Sequence, residues 1–249
     1  VANPDVSFAT RLQTIEYMKA LSTGRTVSTE LGILRIIAGA FGAFRREALD
    51  RVGGWDVGPG LDGDLTVKIR KLGLKVAHQP AAACYTNVPV RFGKLARQRY
   101  RWDRSMVRFR MRKHRDVMLP SAGFRLSNFA SSAENIFFNF VLNLKWWVYM
   151  VQIVVLHPHL LPVILSVNYL LYVAANIIEF ALAVVLFGRG LRPVEAAMAL
   201  YLPLVPLYTG IYLRVVRTFA YLMELLHGAS YSDRWNPWKV SRVARKERL

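Results

Sequence analysis

The sequence predicts an α/β domain followed by an α-helical transmembrane region, and three observations carry that prediction. Up to about residue 135 the chain is rich in charge and punctuated by Gly and Pro, mixing helical apolar spacing with short apolar runs. From Ile136 to Leu226 long apolar runs dominate and charges are few. One of these runs, Leu160 to Phe187, holds 28 residues and a single charge, Glu179. That exceeds the roughly 20 residues needed to cross a bilayer, so the sequence reads as an integral membrane protein.

The elements follow in order. Residues 8–22, FATRLQTIEYMKALS, place apolar side chains at helical spacing and are expected to form a helix. LGILRIIAGAFGAFRREALDRVGGW (31–55) reads as a buried strand, a glycine-containing bend and a short helix closed by Gly53 and Gly54. The small residues Ala38, Gly39, Ala40 and Gly42 leave room for close approach to the backbone, by a ligand or by a packed element. In GPGLDGDLTVKIRKLG (58–73) a loop leads into a helix ending near Leu72, with Asp62 or Asp64 at its start. One acid there is accounted for by an N-cap. Two, separated by glycine, exceed what a cap requires and make a functional carboxylate a candidate. LKVAHQPAAACYTNVP (74–89) reads as two short strands, within which Cys84 is expected to be a buried structural thiol. A single cysteine also excludes an intrachain disulfide and a cysteine-based zinc site.

A basic helix begins near Arg91, and residues 91–115 hold eleven Lys/Arg against one acid, Asp103. Within a chain of net charge +18, such a patch fits the cytoplasmic face beside membrane spans. Nucleic acid is not the expected partner, because the aromatics lie mainly in the apolar half and no nucleic-acid motif is present. Inside the patch, QRYRW puts Gln98, Arg101 and Trp102 at i, i+3 and i+4, on one helical face. An amide and a guanidinium fork suit phosphate oxygens, and an indole suits a sugar ring.

Residues 121–135 suit an amphipathic helix at the membrane surface. Apolar stretches follow at about 137–156, 160–187 and 194–213, with His157 and His159 in a turn between the first two. Arg189, Arg192 and the basic tail from Arg214 are expected on the cytoplasmic side. A cytoplasmic domain and a cytoplasmic tail need an even number of crossings, against three apolar stretches. Either residues 137–156 lie partly in the interface or residues 194–227 form a hairpin, so two to four membrane helices are open.

Through TRLQTIEY, GAFGAFRREALDRVGGW, LDGDLT and QRYRW, residues 1–115 resemble the processive family-two glycosyltransferases, the cellulose, chitin and hyaluronan synthases and the rhizobial chitooligosaccharide synthases. The resemblance implies a glycosyltransferase-A-type α/β domain, here its C-terminal half, with residues 1–116 cytosolic. It implies an interfacial helix region at 117–135, transmembrane helices at 136–228 and a basic cytoplasmic tail at 229–249. In that family an earlier half-domain binds the nucleotide and, through Asp-x-Asp, the divalent metal. Mg2+ or Mn2+ is therefore expected with its ligands mainly outside this chain, and no metal ligand is assigned within it.

By the same resemblance Asp62 matches the catalytic base, although Leu61 stands where the family carries an acid. Gln98 and Arg101 would bind the diphosphate of a UDP-sugar donor. Trp102, with Ala38 and Gly39, would bind the growing glycan acceptor; the alternative for Trp102 is a core tryptophan wedged under the basic helix. Asp64 is a second candidate carboxylate with helix capping as its other reading. Trp235 and Trp238 are either interfacial anchors or part of a mobile loop closing over the nucleotide. RWDRS is closer to the Arg-Trp-x-Lys-Ser of hyaluronan and chitooligosaccharide synthases, which favours an N-acetylglucosamine-containing product. The implied setting is the bacterial inner membrane, with the bilayer and export or accessory subunits as partners. A non-processive transferase acting on a lipid carrier and an inactive scaffold subunit are the other functional classes.

Overall fold

The computed structural model describes residues 1–56, 60–120, 124–186 and 192–232; Arg189, Trp235 and Trp238 lie outside the described residues. Helix α1 (Phe8–Lys19) opens with a capping box in which Ser7 Oγ accepts from the Thr10 N–H and Thr10 Oγ1 from the Ser7 N–H. It passes through a π-helical turn (Ala20–Gly24) into α2 (Arg25–Glu30). Helix α3 (Arg46–Val52) ends as its sequence predicts, on Gly53 at φ +71°. Helix α4 spans Leu61–Lys71 and α5 Phe92–Ser105, and α5 runs on as a π-helical stretch to Lys113. Helix α6 (Leu126–Ile136) continues through Phe137–Val141 into α7 (Leu142–Leu156), and α8 is Leu161–Leu186. Short α9 (Pro193–Ala197) and α10 (Val205–Leu207) flank a 3-10 segment, Met198–Leu204. A π-helical turn, Tyr208–Tyr212, joins them to α11 (Leu213–His227).

The expected strands do not form: among the described residues there is no β-strand. A strand needs a neighbour to satisfy its backbone, and here helix side chains do that instead. Along residues 34–39, Arg70 Nη1 donates to Leu34 O (2.8 Å) and Arg110 Nη2 to Arg35 O (2.8 Å). The Ile37 N–H donates to Thr66 Oγ1 (2.9 Å) and the Gly39 N–H to Asp62 Oδ2 (3.3 Å). Residues 88–90 are served likewise. Asn3 makes two bonds with the Val88 backbone, Gln13 donates to Pro89 O and Ser7 to Val90 O. Cys84, expected buried, is exposed, with its Sγ donating to Ala40 O at 3.9 Å.

The chain divides into two compact units that interleave along the sequence. One comprises residues 1–26, 85–95 and 138–215. Its core joins Leu12, Ile15 and Met18 of α1 to Phe180 of α8 and to Met198, Leu202, Val205 and Tyr208. Helix α1 therefore packs on the apolar helices, tied by Glu16 to the Tyr208 hydroxyl (2.7 Å) and by Lys19 to Glu179 (2.5 Å). Three helical runs are long and apolar enough to cross a membrane: Leu126–Leu156 (31 residues), Pro158–Leu186 (29) and Pro193–His227 (35). The last is one helical run and not the hairpin considered from sequence. His157 closes α7 and His159 lies in the following 3-10 turn, as a connecting turn requires.

The other unit comprises residues 27–84, 96–137 and, of the described residues, 216–232. Its apolar core is small: Leu34, Leu65, Ile69 and Val76, with Phe44, Leu49 and Val52 packed against them. Much of the remaining cohesion is polar. The polar face of α6 points inward, where Asn128 accepts from Arg70 Nε (2.9 Å) and Ser132 from Arg110 Nη1 (3.3 Å).

Candidate active site

The acidic segment and the basic helix meet within this second unit. Gly60, the residue before α4, has φ +82°, and a Cβ there would lie 2.2 Å from Ser105 Cβ and 2.6 Å from Ser105 Oγ. Only glycine lets the backbone adopt this conformation and lie so close to α5. Ser105 follows Trp102 by one helical turn, and its Oγ donates to Trp102 O (2.6 Å). This contact seats the first turn of α4 on the helix that carries QRYRW.

Asp62 occupies that first turn and is half-buried. Its Oδ1 accepts from the Gly63 N–H (3.0 Å) and its Oδ2 from the Gly39 N–H (3.3 Å). Thr66 Oγ1 donates to Asp62 O (2.7 Å) and fixes the turn from the other side. The Ala38–Gly39 bend and Asp62, both singled out in the sequence, thus come together. A Cβ on Gly39 would sit 3.7 Å from Asp62 Oδ2, an ordinary van der Waals contact, so the bend lies directly against the carboxylate.

Asp64 is neither a cap nor an exposed acid. The cap position is Gly60, and Asp64 is 1% exposed. Its Oδ1 lies 2.6 Å from His114 Nε2, and its Oδ2 lies 2.9 Å from Lys113 Nζ and 3.6 Å from Lys68 Nζ. Asp56 pairs with Lys68 (3.0 Å) and with Lys113. Burial alone would raise the Asp64 pKa, but the hydrogen bonds from His114 and Lys113 and the Lys113 charge outweigh it and hold the carboxyl well below the usual carboxylate range. Burial pushes His114 below its ordinary value against the raising pull of the Asp64 bond.

On α5, Gln98 and Arg101 are half-buried and Trp102 is 44% exposed, so within this chain its indole is not packed in a core. The Arg99 guanidinium lies over the indole, 4.6 Å from its centroid. Beyond α5, Glu224 of α11 is fully buried and accepts from the Ser230 N–H (2.7 Å), Ser230 Oγ (2.8 Å) and Arg112 Nη1 (3.3 Å). It anchors the segment leading toward Trp235 and Trp238.

Among the described residues no group of three or more His, Cys, Asp or Glu side chains is placed to hold a metal ion. Asp56 and Asp64 are already paired with lysines. The carboxylates around Asp62 therefore do not fit a divalent-cation site.

The sequence reading missed Lys68, Lys113, His114 and Glu224. In a run of eleven basic residues a buried Lys or His has the same letter pattern as a solvated one. The available signal was the unexplained second acid of LDGDL, which needs a partner once buried.

Residues 3–213 match the profile of glycosyl transferase family group 2. The chain belongs to that family. Among curated proteins it is similar to the poly-beta-1,6-N-acetyl-D-glucosamine synthase of Staphylococcus aureus (strain COL), 33% identical over 94 residues. The enzyme of the same name from Staphylococcus epidermidis (strain ATCC 35984) is 32% identical over 94 residues. Each alignment covers 37% of this chain and 23% of the relative, so the chain matches about a quarter of those proteins' length. No solved structure matches. Within that family, this chain carries three helical runs long and apolar enough to cross a membrane.

Proposed function

We propose that this family-two chain serves a membrane-embedded, inverting transferase that moves N-acetylglucosamine from a UDP-sugar to a growing β-linked glycan and couples synthesis to export. The observation that carries the reading is the seating of the Asp62 turn on the QRYRW helix through Gly60 and Ser105. Asp62 takes the proton of the acceptor hydroxyl, whose oxygen attacks the anomeric carbon as the bond to the diphosphate breaks. Gln98 and Arg101 stabilise the departing diphosphate, the charge that grows as the bond opens. Trp102 offers the terminal acceptor sugar a flat surface, and the Ala38–Gly39 bend lies beside the base. A single displacement without a protein nucleophile inverts the anomeric centre. Family-two enzymes commonly use a divalent metal, and no step above is routed through one. The names of the staphylococcal relatives and the RWDRS sequence support the choice of sugar.

Incubation of the full-length protein in membranes with radiolabelled UDP-sugars tests the reading. UDP-N-acetylglucosamine is expected to yield polymer. Asp62→Asn should lower turnover about 10²–10⁴-fold, the range for general acid–base catalysis, while UDP binding persists. A glycolipid product would replace the polymerase reading with transfer to a lipid carrier. Undiminished polymerisation by Asp62→Asn would remove Asp62 from its role.

A further inference from the structure

Asp62 and Asp64 are two residues apart on α4, so at about 100° per residue they point to nearly opposite sides of the helix. Asp62 faces the Gly39 bend, whereas Asp64 turns inward to an assembly that the chemistry above does not use. Three segments converge on that assembly. Asp56 comes from the stretch before α4, Asp64 and Lys68 from α4, and Lys113 and His114 from the end of the rod that begins as α5. Both Asp64 oxygens are occupied, one by His114 and the other by Lys113, so it is a poor proton acceptor. The π-helical stretch Met106–Lys113 contributes directly. The His114 N–H bonds to Phe109 O (2.8 Å), five residues back, and the wider turn re-aims the residues that follow it.

We infer that Lys113 and His114, gripping the buried Asp64, are positioning residues that clamp the first turn of α4 to the basic helix and so hold Asp62 at the Gly39 amide. The inference rests on the reading of Asp62 as the base. It assigns the two acids of LDGDL separate tasks, one toward the acceptor and one toward the fold. The clamp works alongside the Gly60–Ser105 contact, which sets the distance between the same two elements.

The test uses the full-length protein with His114→Phe, which removes the donor, and His114→Gln, which retains a side-chain N–H for Asp64. Lys113→Gln, which leaves Lys68 facing Asp64, is read in the same way and decides the matter if His114→Phe fails to fold. Two quantities are measured: kcat and KM for the sugar nucleotide, and hydrogen exchange of peptides covering residues 54–66 and, as a control, 161–186. His114→Phe is expected to lower kcat at least tenfold with KM changed less than twofold. Exchange should rise in 54–66 and not in 161–186, and His114→Gln should restore both quantities. Unchanged exchange in 54–66, or a His114→Gln variant as impaired as His114→Phe, overturns the clamp. A parent protein with no transferase activity overturns the proposed function instead, and the exchange measurement then still decides the clamp.

Discussion

Replacing Gly60 by alanine tests the contact on which the site is built. Two penalties follow from its geometry. A φ of +82° costs an L-residue about 1–2 kcal/mol. The new Cβ, 2.2 Å from Ser105 Cβ, adds about 1–3 kcal/mol of overpacking. Together these amount to roughly 2–5 kcal/mol, or about 4–20 °C in apparent melting temperature for a chain of this size. Relief of the clash to an ordinary contact of 3.4 Å requires the turn to withdraw from α5 by about 1.2 Å. Because Asp62 rides on that turn, a displacement of this size should cost about 100-fold in kcat. The assay pairs thermal unfolding in nanodiscs with turnover of the labelled sugar nucleotide. Ser105→Gly in the same chain should recover the packing share and leave the backbone share. A Gly60→Ala protein as stable and active as its parent would refute the close approach. So would a double variant that recovers nothing.

Trp102→Ala should impair glycan elongation more than hydrolysis of the sugar nucleotide, by about 5- to 150-fold if stacking is worth roughly 1–3 kcal/mol; product analysis of a folded variant reads the ratio. Arg70→Lys should destabilise the protein by about 2–4 kcal/mol in thermal unfolding, because an ammonium cannot reproduce the three bonds to Leu34 O, Ser127 O and Asn128 Oδ1. Stability should fall in two steps on acidification. The His114 pKa is depressed in the fold, so below about pH 6.5 the unfolded chain takes up a proton that the fold resists. The Asp64 pKa is depressed too, so its contribution is complete above about pH 4 and is lost as the pH falls further. Melting curves against pH should show both steps, and His114→Gln should abolish the first.

The sequence was most informative where a residue type has one physical use. Gly53 closes α3 because the left-handed conformation ends a helix there. The Gly39 bend and Asp62 were both marked as site elements, and they share a hydrogen bond. The strands were not legible as such. LGILRII has the apolar content of a strand, yet whether it pairs depends on a neighbour, and here Arg70, Arg110 and Thr66 meet its backbone instead. Helix α6 falls within the amphipathic helix expected at 121–135, but its polar residues Asn128, Ser131 and Ser132 are buried, which periodicity alone does not reveal. Lys113 and His114 were invisible for a different reason. Periodicity reports apolar faces, and a helix basic all round gives no indication of which cations turn inward.

The anchorage of Glu224 also constrains how the chain threads a bilayer. Arg112, which binds it, precedes every apolar helix, whereas Glu224 stands near the end of the last one, Pro193–His227, and Ser230 follows it. Because these residues belong to one compact unit, the chain that departs at residue 137 must be back on its original side by Ser230. The number of complete passes in between is even. The buried carboxylate near the end of α11 thereby fixes the parity of the topology, something that a count of hydrophobic stretches leaves open.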